Sequence, residues 1–104
     1  MKEIKAVFQP FMLHAVLDAL HQIPDLPAVA ISEIRVVSTS LGLYEQVVKM
    51  RLEIIVSDDL VETVMKAIQI HAHTGKPGDG RIIVLPIESS LMIRTGEYED
   101  DSAL

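Results

Sequence analysis

The sequence predicts an α+β fold in which a four-stranded antiparallel sheet carries two helices on one face. Four segments show alternating apolar and polar side chains or a short β-branched run, which is typical of strands. Two other segments carry apolar residues at three- and four-residue spacing, which is typical of amphipathic helices. Proline and glycine clusters separate the segments, and each segment can therefore be assigned in order.

Residues 3–9 alternate apolar and polar side chains, which predicts the first strand. Pro10 ends that strand and suits the first turn of a helix, which the apolar spacing predicts over residues 11–22. Residues 29–37 are rich in β-branched side chains and predict the second strand.

Residues 46–56 alternate most regularly and should pair with the preceding strand as an antiparallel hairpin. Ser57 is a good N-cap for the second helix, which we expect to finish before Gly75. Residues 82–85 predict a fully buried strand, and residues 91–93 a short final one. The order βαββαβ is that of the ferredoxin-like class, and because this topology hosts many functions, function has to be argued from a site.

Composition narrows the class of protein. The chain has 104 residues, enough for one small domain, and its small size makes oligomerisation a reasonable expectation. A formal net charge of −6 gives no basic field for a nucleic-acid partner. Four of the 15 acids fall after the last basic residue, so we expect a domain over residues 1–96 and an acidic tail over residues 97–104.

The cellular setting follows from what the sequence lacks. There is no cysteine, which excludes disulfides, thiolate metal sites and a cysteine nucleophile. The apolar runs are far shorter than the roughly 18 residues that a membrane-spanning helix needs, so we expect no direct membrane insertion. The N-terminus mixes charges into its first apolar segment, unlike a secretory signal. A cytoplasmic protein is the expectation.

The segment that could bind a ligand is the stretch from Thr74 to Arg81, which we call the glycine loop. It holds three glycines and two cations in eight residues. Glycines allow consecutive backbone N–H groups to point into one concavity and hold an anion, while Lys76 and Arg81 supply positive charge. The loop therefore predicts a phosphate cradle. The alternative is a helix C-cap at Gly75 followed by an ordinary turn into a strand.

The same stretch resembles a known family. TGKPGDGRI is similar to the TGKIGDGKI of the nitrogen regulatory PII signalling proteins, where it forms the B-loop that holds nucleotide phosphates. The opening MKEIKAVFQPFMLHAVLDAL, the helix entry LEIIVSDDLVETVMKAI and the ending IRTGE also resemble that family. The resemblance implies a ferredoxin-like homotrimer with a nucleotide site in each subunit cleft, where ATP and ADP compete, with magnesium accompanying ATP.

The resemblance also implies which residues bind the nucleotide. Arg94 matches the second arginine of the family's C-loop, and Lys49 matches a lysine that serves ATP and 2-oxoglutarate. The alternative for Lys49, on the charged face of a strand, is a solvated lysine. The predicted nucleotide-binding residues are Lys49, Gly75, Lys76, Gly78, Asp79, Gly80, Arg81 and Arg94.

The chain departs from the family pattern in three ways. Met92 stands where the family has its first C-loop arginine, so one phosphate contact is missing and the preference should shift from ATP towards ADP, AMP or another ligand. No glutamine occupies the family's 2-oxoglutarate position, so we expect no sensing of that ligand. The long T-loop is also reduced to about ten residues, in which Tyr44 lacks the flanking sequence of the family's modified tyrosine.

The short loop is still the expected contact with a regulated protein. The resemblance implies that this partner is a membrane transporter or an enzyme. The predicted partner-binding residues are Ser38, Thr39, Ser40, Leu41, Gly42, Leu43, Tyr44 and Glu45.

Two other functions remain open from the sequence. His71 and His73 could serve a trimeric metal-binding or metal-responsive module linked to heavy-metal efflux that has lost nucleotide binding, although histidines near a helix end also suit the helix dipole. A purely structural trimer is the third possibility. An enzyme is not expected, because helix capping accounts for the acids Asp58, Asp59 and Glu62, and no catalytic triad spacing stands out.

Overall fold

A computed structural model describes residues 1–38 and 44–98 of the chain. A single turn of 3-10 helix leads into each α-helix, at Pro10–Met12 and at Asp58–Leu60. The elements in chain order are β1 (Lys2–Phe8), α1 (Leu13–His21), β2 (Ala30–Ser38), β3 (Glu45–Val56), α2 (Val61–Ala72) and β4 (Gly80–Pro86).

The four strands form one sheet in the order β2-β3-β1-β4, and all neighbours are antiparallel. The element order and the sheet order together confirm the predicted ferredoxin-like fold. Phe8, at the end of β1, pairs with Met50 on one side and Gly80 on the other. This register places the start of β4 beside the end of β1.

One face of the sheet packs against the two helices and forms the core. Alternate residues of β1 and β3 point to that face, as the sequence predicts, and are almost completely buried. Val16 of α1 and Ile68 of α2 pack on them from the helix layer. The core residues of the two strands are Ile4, Ala6, Phe8, Met50, Leu52, Ile54 and Val56.

The opposite face of the sheet, which we call the open face, is not covered by a helix of the described residues. The prediction that β4 is fully buried is therefore wrong. Ile83 is 45% exposed and Leu85 37% exposed, because both point to the open face from an edge strand. Ile82 and Val84 point the other way and pack against the core.

The predicted final strand is also replaced by a different structure. Leu91 forms a single antiparallel bridge with Tyr98. Between them, the Met92 N–H donates to the Glu97 carbonyl at 2.8 Å, and the Gly96 N–H donates to the Met92 carbonyl at 2.8 Å. These hydrogen bonds close a compact turn, which we call the C-terminal loop (residues 91–98), and it includes the first two residues of the predicted tail.

The start of α2 differs in detail from the prediction. Ser57 occupies the predicted N-cap position with extended backbone, but its side chain makes no capping hydrogen bond. Its carbonyl accepts the Leu60 N–H at 3.0 Å and begins a 3-10 turn instead. The neighbouring Asp58 accepts the Met1 ammonium at 2.7 Å and the Lys2 ammonium at 3.1 Å. The end of α2 at Ala72 agrees with the prediction.

Two predicted segments fall wholly or partly outside the described residues. Residues 39–43 of the partner-binding loop are not described, nor are residues 99–104 of the acidic tail. In the parts of the chain that are described, no helix has the length and apolar character needed to cross a membrane.

Candidate functional site

The glycine loop lies at the end of the sheet where β1 stops and β4 starts. It leaves α2 just after Ala72 and enters β4 at Gly80. Gly80 has φ +108°, and a Cβ at this position would lie 1.7 Å from the backbone oxygen of Val7. Only glycine fits so close to the neighbouring strand. The entry into β4 is therefore fixed by backbone packing.

The loop is held in shape by the carboxylate of Asp79. Its oxygens accept the Thr74 N–H at 2.8 Å, the Gly75 N–H at 2.9 Å and the Thr74 hydroxyl. The Thr74 hydroxyl and amide, followed by the Gly75 amide, hold the pKa of Asp79 below its ordinary value of 3.8. Asp79 therefore accepts hydrogen bonds from two of the backbone N–H groups, those of Thr74 and Gly75, that we expected to bind a ligand.

Lys49 is buried at the same end of the sheet, with 8% of its surface exposed. Its Nζ donates to the Gly78 carbonyl at 2.5 Å. A Cβ added at Gly78 would lie 3.4 Å from this nitrogen and 3.2 Å from Nε2 of Gln9. The interpretation of Lys49 as a solvated lysine is therefore wrong. It lies on the open face, and the glycine loop covers it.

The buried ammonium of Lys49 has no acidic partner within residues 1–38 and 44–98. Among the described residues, no carboxylate lies within 4 Å of its nitrogen. A buried cation satisfied only by a neutral carbonyl is electrostatically unfavourable unless an anion approaches. The site therefore attracts negative charge.

Arg81 adds a second cation on the same face of the sheet as Lys49, on the other side of β1. It pairs with Val7 in the register of β4 with β1, which places it on the open face. Lys76 lies further out on the loop and is exposed. Neither side chain has a carboxylate within 4 Å in the described part of the chain. With Lys49, these residues give the loop three cations against the one carboxylate of Asp79.

Arg94 is not brought to the glycine loop within one chain. It lies in the C-terminal loop, which follows the far end of β4, where the Ile87 N–H donates to the Met1 carbonyl at 3.3 Å. No hydrogen bond or ion pair among the described residues joins Arg94 to the glycine loop. Of the predicted nucleotide-binding residues, one therefore lies apart from the other seven.

A pocket of about 380 Å³ lies between α2 and β4, next to the loop. Phe8, Ile68 and Ile82 contribute apolar walls. Asp79 and Arg81 line the same pocket. The volume falls within the range of small-ligand pockets, about 300–1,000 Å³, and a few polar groups at an apolar wall are typical of such sites.

The two candidate metal ligands are separated by the end of α2. His71 is helical, and its Nδ1 lies 2.8 Å from the Ala67 carbonyl. His73 follows the helix with extended backbone. Within residues 1–38 and 44–98, no group of three or more His, Cys, Asp or Glu side chains is arranged to hold a metal ion. No observation on the described residues favours the metal-binding hypothesis.

Two residues at the site are absent from the predicted nucleotide-binding residues. Thr74 supplies two of the donors that hold Asp79, and Gln9 lies against the underside of the loop at Gly78. Thr74 could have been found from the sequence, because it lies just after a helix end and five residues before Asp79. Asp side chains often accept hydrogen bonds from backbone groups a few residues away. Gln9 could not, because its proximity depends on the sheet register.

The base of the predicted partner loop is a strand hairpin. Ser38 and Glu45 form the last pair of β2 with β3, and Tyr44 beyond them is 78% exposed. Below this pair, four valines of the two strands are also substantially exposed. They are Val36, Val37, Val47 and Val48.

The protein has a small α+β fold with a cationic glycine loop at one end of its sheet. No catalytic triad spacing stands out in its sequence. The family model for "Nitrogen regulatory protein P-II" matches residues 1–97. The chain belongs to this family, whose name marks it as one of regulatory proteins.

Individual relatives agree with the family model. The chain is 39% identical to the nitrogen regulatory protein P-II of Azospirillum brasilense over 98% of its own length and 99% of the relative's. It is 40% identical to the protein of the same name from Rhodospirillum rubrum, with the same coverage. It is 34% identical to nitrogen regulatory protein P-II 1 of Escherichia coli K12 over the full length of both.

Proposed function

We propose that this PII-family protein binds an adenine nucleotide at the glycine-loop end of the sheet. The phosphates would be held by Lys49, Arg81 and the loop, and Arg94 would be supplied by a neighbouring copy. Nucleotide occupancy would change the β2–β3 hairpin, which would in turn regulate a partner protein. The proposal is a signalling role in the cytoplasm without catalysis of its own.

The observation that carries the proposal is the buried Lys49 ammonium, which has no acidic partner in the part of the chain that the structure describes. A structural lysine on a sheet would extend into solvent or meet a carboxylate. This one is held under a glycine-rich loop, and a second cation, Arg81, lies on the same face of the sheet across β1. Phosphate is the ligand chemistry that fits, because charge-assisted hydrogen bonds from lysine and arginine to phosphate are strong.

Asp79 has a positioning role in this proposal. As an ionised carboxylate it would repel a phosphate, but its oxygens are turned onto Thr74 and Gly75. It therefore fixes the path of the loop, while Lys49 and Arg81 supply the attraction. The remaining loop residues, Gly78 and Gly80, allow close approach of backbone to the ligand.

A homotrimer belongs to the proposal and is supported by the open face. Ile83 and Leu85 are left exposed on the side that no helix of the described chain covers. An exposed apolar face of this kind marks an interaction surface. A second copy is also needed because Arg94 does not reach the glycine loop of its own chain.

The identity of the nucleotide follows from the number of cations. Met92 offers no charge to a phosphate, so Arg94 is the one cation of the C-terminal loop. We therefore propose that ADP or AMP competes well with ATP, with magnesium contributing only to ATP binding.

The link from nucleotide to partner is strand β3. It runs without interruption from Glu45, at the hairpin, through Lys49 and into the core. A nucleotide that binds two hairpin states with different affinity would shift their populations. The partner, a transporter or an enzyme, would then contact residues 38–45.

Calorimetric titration of the purified protein with ATP, ADP and AMP, each with and without magnesium, tests the proposal. We expect saturable binding near one nucleotide per chain. The Lys49→Met variant should weaken binding by about tenfold to a hundredfold, since it removes one charged hydrogen bond to phosphate. Some loss of stability should accompany the change, because the Gly78 carbonyl loses its hydrogen bond from Lys49, so urea unfolding is measured beside binding.

Lys66→Met is the matched control, since Lys66 is an exposed lysine of α2 away from the glycine loop. It should bind nucleotide like the parent protein. No binding heat with any nucleotide, from a correctly assembled parent, would refute the proposal. Equal affinities for the two methionine variants would remove Lys49 from the site.

A further inference from the structure

A glutamine outside the glycine loop lies between that loop and Lys49. β1 ends at Phe8, which pairs with a residue of β3 on one side and with a residue of β4 on the other. Gln9 follows with extended backbone, φ −67° and ψ 134°. Continuing both registers by one residue therefore places Gln9 between Lys49 of β3 and Asp79 of the glycine loop.

The side chain of Gln9 reaches the same place under the loop as the Lys49 ammonium. A Cβ added at Gly78 would lie 3.2 Å from Nε2 of Gln9 and 3.4 Å from Nζ of Lys49. The two nitrogens therefore face the same side of Gly78, where a side chain would fill the space between loop and sheet. Both nitrogens are hydrogen-bond donors.

The amide of Gln9 has hydrogen-bonding capacity to spare. Among the residues that the structure describes, its side chain makes no hydrogen bond, whereas Lys49 already donates to the Gly78 carbonyl. An amide offers two N–H donors and carries no charge. Gln9 therefore adds donors next to the buried cation without neutralising it.

We propose that Gln9 is a specificity-determining residue of this site, whose amide donates to the same anion as Lys49 and, being neutral, leaves the Lys49 charge available to that anion. A glutamate of nearly the same size would accept a hydrogen bond from Lys49 and repel phosphate. The inference rests on the proposed function for the identity of the anion, and it adds a contact that neither the glycine motif nor the resemblance assigns.

Calorimetric titration of Gln9→Glu with ADP and with inorganic pyrophosphate tests the proposal. The affinity for both should fall about tenfold to a hundredfold below the parent's, because the new carboxylate pairs with Lys49 and a charged hydrogen bond to phosphate is lost. Gln22→Glu is the matched control, since it adds the same charge at an exposed residue just after the end of α1, away from the glycine loop. It should bind like the parent.

A second variant isolates the hydrogen bond from the charge. Gln9→Met removes the amide donors and adds no charge, so it should weaken binding of both anions by about twofold to tenfold. Parent affinity in Gln9→Met would contradict the donor role of the amide.

Urea unfolding without any ligand separates this role from a purely structural one. Gln9→Glu should be more stable than the parent, since the buried Lys49 cation gains an acidic partner. In a Lys49→Met background the same substitution should bring no gain, which a double-mutant cycle measures. A residue that only supports the fold would lower stability and affinity together.

The outcomes that overturn the inference are distinct from those that refute the proposed function. Parent affinity in Gln9→Glu, a joint fall of affinity and stability, or the same stability change with and without Lys49 would each overturn the inference. Binding of pyrophosphate but not of ADP by the parent would refute the nucleotide and leave the role of Gln9 standing. A parent that binds neither anion would refute both.

Discussion

The glycine loop and the C-terminal loop both depend on glycines with positive φ, but they are held in different ways. The glycine loop is closed by Asp79, which accepts hydrogen bonds from Thr74 and Gly75, and it is tied to the body of the chain by Lys49 and by the close packing of Gly80 on β1. Among the described residues, the C-terminal loop is closed by hydrogen bonds within itself, and Gly96 has no atom within 4 Å of an added Cβ.

The difference indicates what each loop needs in order to work. The glycine loop is preorganised in a single chain, so its cations are in place before a ligand arrives, which lowers the cost of binding. The C-terminal loop takes its shape from hydrogen bonds between its own residues. Under the proposed function, its position relative to the site comes from a second copy.

The largest effect should come from adding one methyl group at the tied loop. Gly80→Ala places a Cβ 1.7 Å from the Val7 oxygen and should cost at least about 3 kcal/mol. Gly96→Ala also has positive φ, +72°, but meets open space and should cost only about 1–2 kcal/mol. Urea unfolding of both variants at one protein concentration measures the difference. Equal destabilisation by the two substitutions would contradict it.

An intermediate effect should follow from removing the charge of Asp79, whose carboxylate holds the glycine loop in shape. Asp79→Asn weakens the hydrogen bonds from Thr74 and Gly75 and should lower both stability at pH 7 and nucleotide affinity. Because the pKa of Asp79 is lowered in the folded state, its stabilisation is present above about pH 4 and is lost as the pH falls further. The stability gap to the parent should therefore narrow on acidification.

Urea unfolding of parent and variant from pH 7 to pH 3 measures this gap. Asp59→Asn is the control for removal of one acidic side chain, since Asp59 is exposed and makes no hydrogen bond to the glycine loop. It should change stability at pH 7 by less than Asp79→Asn does. A gap for Asp79→Asn that widens towards pH 3 would show that the carboxylate does not tie the loop.

The fold could be predicted because its cause is local. Alternation in β1 and β3 identifies the buried face directly, and the helix-forming spacing identifies the layer that covers it. The environment of β4 could not be predicted, because residues 82–85 are all apolar and the sequence does not say that their open face is left for another surface. A strand whose apolar residues are buried within one chain and a strand whose apolar residues face another subunit have the same composition.

The site was predictable only in part for a similar reason. The glycine content indicates the loop, and resemblance indicates Lys49. The burial of Lys49 depends on its hydrogen bond to Gly78, 29 residues further along the chain, so strand periodicity indicates a solvated residue. The sequence motif predicts that Asp79 contacts the ligand. The structure shows instead that its carboxylate accepts hydrogen bonds from Thr74 and Gly75, which depend on the folded shape of the loop.

The smallest effect should come from removing the ion pairs of Asp58, which lie at the opposite end of the sheet from the glycine loop. Asp58 accepts the Met1 and Lys2 ammonium groups, and these hydrogen bonds lower its pKa below 3.8. Asp58→Asn should lower the Tm at pH 7 less than Asp79→Asn does, because exposed ion pairs are screened by solvent. Its stabilisation is likewise lost as the pH falls below about 4. Nucleotide affinity should stay at the parent value, since this end holds no part of the glycine loop. Thermal unfolding measures the stability of the Asp58→Asn and Asp79→Asn variants, and calorimetry measures their nucleotide affinity. If Asp58→Asn lowered the affinity as much as Asp79→Asn does, nucleotide binding would depend on overall stability and not on the glycine loop.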